Sequence, residues 1–142
     1  MKPPSSIAIH RAGVFCAVLL FALPAILPAA ERMVPGEWEF TMVTDGATRT
    51  FSSCMTAADG AQINGDSNSG RAAAEKKSAG RCTVQAYEIK GDSVTYTLLC
   101  GTRTIASATS FHGVTSEGTL ITTTDGKAVT AQVKARRVGA CR

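Results

Sequence analysis

The sequence predicts a small all-β protein: an antiparallel meander of about seven strands, curved or partly closed into a barrel, with one long loop carrying short helical turns. Three observations carry that expectation. Beyond Gly80, turn signals recur at Gly91-Asp92, Gly113 and Asp125-Gly126, about one or two strand lengths apart, which suits short strands and leaves no room for a long helical period. The runs between them alternate polar and apolar side chains and are rich in Val, Ile, Thr and Tyr. At 142 residues, 44% hydrophobic and 18% charged, the chain has room for one domain and enough apolar mass for a core, which excludes a wholly disordered chain.

From the N-terminus, Lys2 and Arg11 form a basic start, Ala12 to Leu27 is almost entirely apolar, and Ala29-Ala30 precedes polar Glu31-Arg32. That order reads as a secretory signal peptide over residues 1–30, cleaved after Ala29 or Ala30. The apolar run is broken by Pro24 and is shorter than the ~20 residues a spanning helix needs, so the chain is not expected to span a membrane once the signal is removed. Cys16 lies too early in the run for a lipoprotein cysteine. Residues 31–142 are expected to form one disulfide-stabilised domain, periplasmic or secreted.

Within it, Glu37 to Met42 alternates, with Trp38, Phe40 and Met42 on one face. Asp45-Gly46 turns the chain into a second strand, Thr48 to Cys54. Cys82 to Ile89 and Ser93 to Cys100 form a hairpin at Gly91-Asp92, where glycine in the first loop position suits a type II′ turn. Thr102 to Phe111, Glu117 to Thr124 and Ala128 to Arg137 complete the strands. Met55 to Arg81 has no strand period and is rich in Gly, Ala, Ser and Asn. Thr56-Ala57-Ala58-Asp59 resembles a capping box, and Arg71 to Lys77 suggests a second short helix behind Ser69. The composition otherwise favours a disordered insert over a functional flap, above all from Gly65 to Gly70.

Four cysteines remain after the signal: Cys54, Cys82, Cys100 and Cys141. An even count in an exported small domain reads as two disulfides, and the intervals lack the close pairs of a zinc site. With Gly91 and Asp92 as the loop, Cys82 falls one place from Cys100. A small bulge or a three-residue loop would bring the two opposite each other. Cys82–Cys100 is therefore favoured, leaving Cys54–Cys141; the other two connectivities stay open.

Met33-Val34-Pro35-Gly36-Glu37-Trp38-Glu39-Phe40-Thr41, Cys54-Met55-Thr56, the Cys82-to-Cys100 strand pair and the Gly139-Ala140-Cys141 end together resemble the exported bacterial family catalogued as domain of unknown function 3617. The resemblance covers essentially all of the chain after the signal. It implies export, a β-rich fold and paired cysteines; it implies no activity and carries over no catalytic residue. The polar, glycine-rich stretch Met55 to Arg81 departs from the pattern.

Catalytic chemistry finds little to work with. His112 is the one histidine outside the signal, beside Gly113 in an expected turn, and no motif sets a nucleophile or carboxylate near it. There is no G-x-S-x-G. Gly65 to Ala72 has P-loop glycine spacing, but Arg71 stands for Lys and no hydrophobic strand precedes it. Asp66-x-Asn68-x-Gly70 begins like a calcium loop, yet its twelfth position is Lys77 and not a bidentate Glu. Glu37 and Glu39 share a solvent-directed strand face, unlike a glycosidase pair across a cleft. No cofactor, metal or catalytic residue is expected, and the net charge of +4 is too mild for a nucleic-acid partner.

The expected function is a monomeric, non-enzymatic binding module for a small apolar or amphipathic ligand or an envelope component. Trp38, Phe40, Tyr87, Tyr96 and Phe111 are the candidate lining of a concave apolar face, against the alternative that they are plain core. Arg103, Lys127, Lys134 and Arg136 are a candidate basic patch for anionic material, against a solvated edge that blocks aggregation. The alternative function is a structural or inhibitor-type interaction module of the periplasm.

Overall fold

The computed structural model describes residues 31–142; the signal peptide expected over residues 1–30 lies outside the described residues. Seven strands form one antiparallel sheet: β1 (Gly36–Thr44), β2 (Ala47–Met55), β3 (Thr83–Lys90), β4 (Ser93–Cys100), β5 (Arg103–Phe111), β6 (Thr115–Thr124) and β7 (Lys127–Gly139). Their spatial order is β2-β1-β7-β6-β5-β4-β3. The last five strands run as a meander, and the first hairpin joins it by β1 pairing with β7. β2 and β3 are free edges, so the sheet curls without closing.

Turn chemistry explains the hairpins. Asp45-Gly46 and Asp125-Gly126 both have positive φ at both positions, the type I′ pattern that matches strand twist. At Gly91-Asp92 only the glycine is left-handed, as a type II′ loop requires. Lys90 faces Ser93, and the pairing then slips between Val84 and Ala86. The extra residue, Gln85, is the bulge that sets Cys82 opposite Cys100: their Cα atoms are 4.2 Å apart in a disulfide. Cys54 bonds to Cys141 with Cα atoms 5.3 Å apart, tying β2 to the segment after β7. The favoured connectivity is the observed one.

The short helices expected behind Thr56 and over Arg71 to Lys77 are present as α1 (Ala57–Asn64) and α2 (Ser67–Ser78); they also take up most of the rest of the stretch, which was expected to be a disordered insert. Both begin with capping boxes. Thr56 exchanges bonds with Asp59 at α1, and Asp66 with Ser69 at α2, so each helix has its first free N–H groups satisfied. Gly65 to Gly70 contains the corner between the helices and the first turn of α2. The buried side of α2 is Gly70, Ala74 and Ser78, a stripe of small residues at i, i+4 spacing that lets the helix lie close on β3. Ser67 Oγ accepts from Ile89 N at 2.8 Å, and Arg71 donates to Val84 O at 2.9 Å, stitching α2 to that strand.

The segment before β1 fastens α1. Met33 N donates to Asn64 Oδ1 and Asn64 Nδ2 returns a bond to Met33 O, both at 2.9 Å. Arg32 donates to Ile63 O and Gly65 O at 3.0 Å, occupying carbonyls that the helix end leaves free. At Gly36 the backbone is left-handed, and any Cβ would overlap Gly139 O and the Arg137 guanidinium, which explains the glycine of the Pro-Gly pair. The core contains Met33, Trp38, Ile63, Ala74, Val84, Tyr87, Val94 and Ala135. It lies between the helices and one half of the sheet's concave face.

Candidate functional site

Strand register decides which side chains share the concave face. From Trp38 and Phe40 on β1, the face continues to Phe51 on β2, Val133 and Ala135 on β7, Leu120 on β6, Phe111 and Ser107 on β5, Val94 and Tyr96 on β4, and Tyr87 on β3. α2 packs on β3, and α1 packs on α2 and meets the end of β2. Beyond Trp38 the face loses its cover: Phe51 is 44% exposed although it stacks on Phe40 with ring centroids 5.2 Å apart.

Between the helices and the open half lies a cavity of about 310 Å³. All five sequence-predicted lining residues meet there: Trp38, Phe40, Tyr87, Tyr96 and Phe111. They divide by role. Trp38, 1% exposed, forms the floor and belongs to the core; its indole N–H donates to Val34 O at 3.0 Å. Tyr87 is buried, stacks on Tyr96 at 6.4 Å and donates its hydroxyl to Gln62 O at 3.2 Å. Burial pushes the Tyr87 hydroxyl above its ordinary pKa, with the bond to Gln62 opposing the shift. Phe40, Tyr96 and Phe111 are half-buried and present ring surface to the space.

The remaining walls are Met33, Met55, Ile63 and Leu120, with Asp59, Gln62 and Lys77 as polar groups on the helical side. Ile63, Gln62, Asp59 and Lys77 come from the two helices, and strand alternation alone does not bring them to the cavity. The second capping box, Asp66 with Ser69, and the Gly70, Ala74, Ser78 stripe are the further signals that place them. Lys77 Nζ pairs with Asp59 Oδ1. Burial raises the Asp59 carboxyl, but the bonds from Lys77 and Thr56 outweigh it and hold the group below the ordinary value.

The four candidate basic residues do not form one patch. Lys134 and Arg136 point to the convex face, where Arg136 pairs with Glu39 at 2.8 Å and Lys134 sits opposite Glu117. Arg103 and Lys127 lie on the concave face, one on each side of Thr124. Position along β7 misled here: Lys127 differs from Lys134 by an odd number of residues, which inverts the face. His112 is exposed at the β5–β6 turn and does not line the cavity. Among the described residues no cluster of His, Cys, Asp and Glu has metal-binding geometry. No helix among them is long and apolar enough to cross a membrane.

The family model described as "Protein of unknown function (DUF3617)" matches residues 33–141. Its limits coincide with the folded unit, from Met33 under α1 to Cys141 in the second disulfide. No curated protein and no solved structure matches the chain.

Proposed function

We propose that this chain, which belongs to the DUF3617 family, is an exported, non-enzymatic domain that holds a small apolar or amphipathic molecule on its concave face. The observation that carries the reading is the aromatic-walled cavity of about 310 Å³ opening onto an uncovered half-sheet. A face built only as core would be covered by its helices; here they cover one side and leave Phe51 and Val129 exposed. Apolar walls with a few polar groups on one side are the usual composition of a small-molecule site. The cavity offers no general base with a free partner, since its one carboxylate is tied to Lys77 and Thr56.

Two disulfides in so small a domain fit an oxidising compartment, and with the signal-like N-terminus they support a periplasmic or secreted protein. The test is titration of the exported protein with anilinonaphthalene sulfonate and with lipid extracts, read by Trp38 fluorescence and by native mass spectrometry. Saturable binding at one molecule per chain is expected. No saturable binding, and no small molecule retained on purification, overturns the reading. A second reading, the protein-interaction module, is favoured by β2: every residue from Ala47 to Cys54 is exposed on a free strand edge, open to β-strand addition. A protein partner whose capture is lost on placing Pro at Thr50 would support it.

A further inference from the structure

The cavity does not end at its aromatic walls. A groove of about 390 Å³ continues from it between α2 and β4, sharing Gln62, Lys77 and Tyr96 and adding Arg81, Cys82 and Leu98. The lining is therefore graded: rings and methionines at the Trp38 end, cations at the other. The Lys77 side chain is 65% exposed, and Arg81, also exposed, donates one bond to Lys77 O at 2.9 Å. Beyond Cys82, strand register extends the basic end along the same face. Cys82 is bonded to Cys100, Cys100 faces Arg103, Arg103 faces Thr124 and Thr124 faces Lys127. Four cations thus stand at this end of the concave face. Of the acids, Asp59 is already paired with Lys77, and Asp125 lies in the β6–β7 turn two residues from Lys127.

Resting on the reading of the cavity as a ligand site, we infer that its ligand is a single-chain amphiphile with an anionic head. The tail lies against Phe40, Phe51, Tyr96 and Phe111, and the head sits beside Lys77 and Arg81. The positive end attracts an anion and repels a cation of the same shape. The aromatic-walled part that would take the tail, about 310 Å³, lies at the small end of the ~300–1,000 Å³ range of ligand sites, which suits a single chain.

The test compares dodecanoate, dodecanol and dodecyltrimethylammonium below their micellar concentrations, on the exported protein with both disulfides formed, read by Trp38 fluorescence. Dodecanoate is expected to bind most tightly and dodecyltrimethylammonium least. Lys77→Gln and Arg81→Gln should each weaken dodecanoate by about two- to fivefold, the range of a partly exposed ion pair, and weaken dodecanol less. Asp59→Asn should tighten dodecanoate by freeing Lys77, an opposite sign that general damage to α1 does not produce. Added salt should erase the advantage of dodecanoate. Equal affinity for the three probes, or dodecanoate binding indifferent to all three substitutions, overturns the anionic-head inference while leaving the apolar site standing. Binding of none of the probes overturns both.

Discussion

Gly70→Ala is the sharpest test of how α2 forms one wall of the site. In an open helix interior, replacing glycine by alanine stabilises by about 0.8–1 kcal/mol. At position 70 the new Cβ would lie 2.5 Å from Tyr87 Cε1, 2.9 Å from Tyr87 Cζ and 2.9 Å from Gln62 O. Carbon contacts settle near 3.5–4.0 Å, so the ring must retreat by about 1 Å. Tyr87 has little freedom to do so, being bonded to Gln62 O and stacked on Tyr96. Overpacking of this kind costs about 1–3 kcal/mol, which exceeds the propensity gain, so a net loss of about 1 kcal/mol is expected. Urea unfolding followed by Trp38, the single and buried tryptophan, measures it directly. In a Tyr87→Leu background the penalty should shrink, giving a coupling energy of about 1 kcal/mol in the double-mutant cycle. A Gly70→Ala protein as stable as the parent, or one whose loss is the same with leucine at 87, would refute the close packing of α2 on Tyr87.

Both disulfides should contribute, and unequally. Cys54–Cys141 spans 87 residues and Cys82–Cys100 spans 18, so loop entropy assigns about 4.5 and about 3 kcal/mol; alanine pairs compared by urea midpoint should fall in that order. The Asp59 carboxyl is held below its ordinary 3.8 in the fold, so the unfolded chain takes up the proton first as pH falls. Its stabilisation is complete above pH ~4 and is lost as pH falls through the lower folded value. Asp59→Asn should flatten that acid limb, and an unchanged slope would count against the Asp59–Lys77 pair. His112→Ala should shift stability by no more than ~0.5 kcal/mol, as exposed positions do, and should leave dodecanoate binding unchanged between pH 6 and 8; loss of binding with the fold intact would bring a histidine-dependent mechanism back.

What the sequence determined by itself was local. Alternation from Glu37 to Met42, the Asp-Gly and Gly-Asp turns and the count between Cys82 and Cys100 were sufficient for strands, hairpins and a disulfide pairing, because each depends on neighbours close along the chain. The same alternation put Trp38 and Phe40 on one face, and all five predicted aromatic residues do meet. What only the tertiary structure decided was non-local. The pairing of β1 with β7 gives the sheet its open edges, and it joins segments almost a whole domain apart. The helical pair was legible only in part, from the Thr56 capping box and the Arg71-to-Lys77 run; its packing was not, because that pattern is one of size and not of hydropathy. Gly70, Ala74 and Ser78 repeat at helical spacing, but their smallness has meaning only against the Tyr87 ring they approach. The basic residues show the same limit. Lys134 and Arg136 belong to a convex face that Glu39 and Glu117 neutralise, whereas Arg103 and Lys127 join Lys77 and Arg81 at one end of the cavity face. Charge is written in the sequence, but the face on which it acts is set by register across five strands.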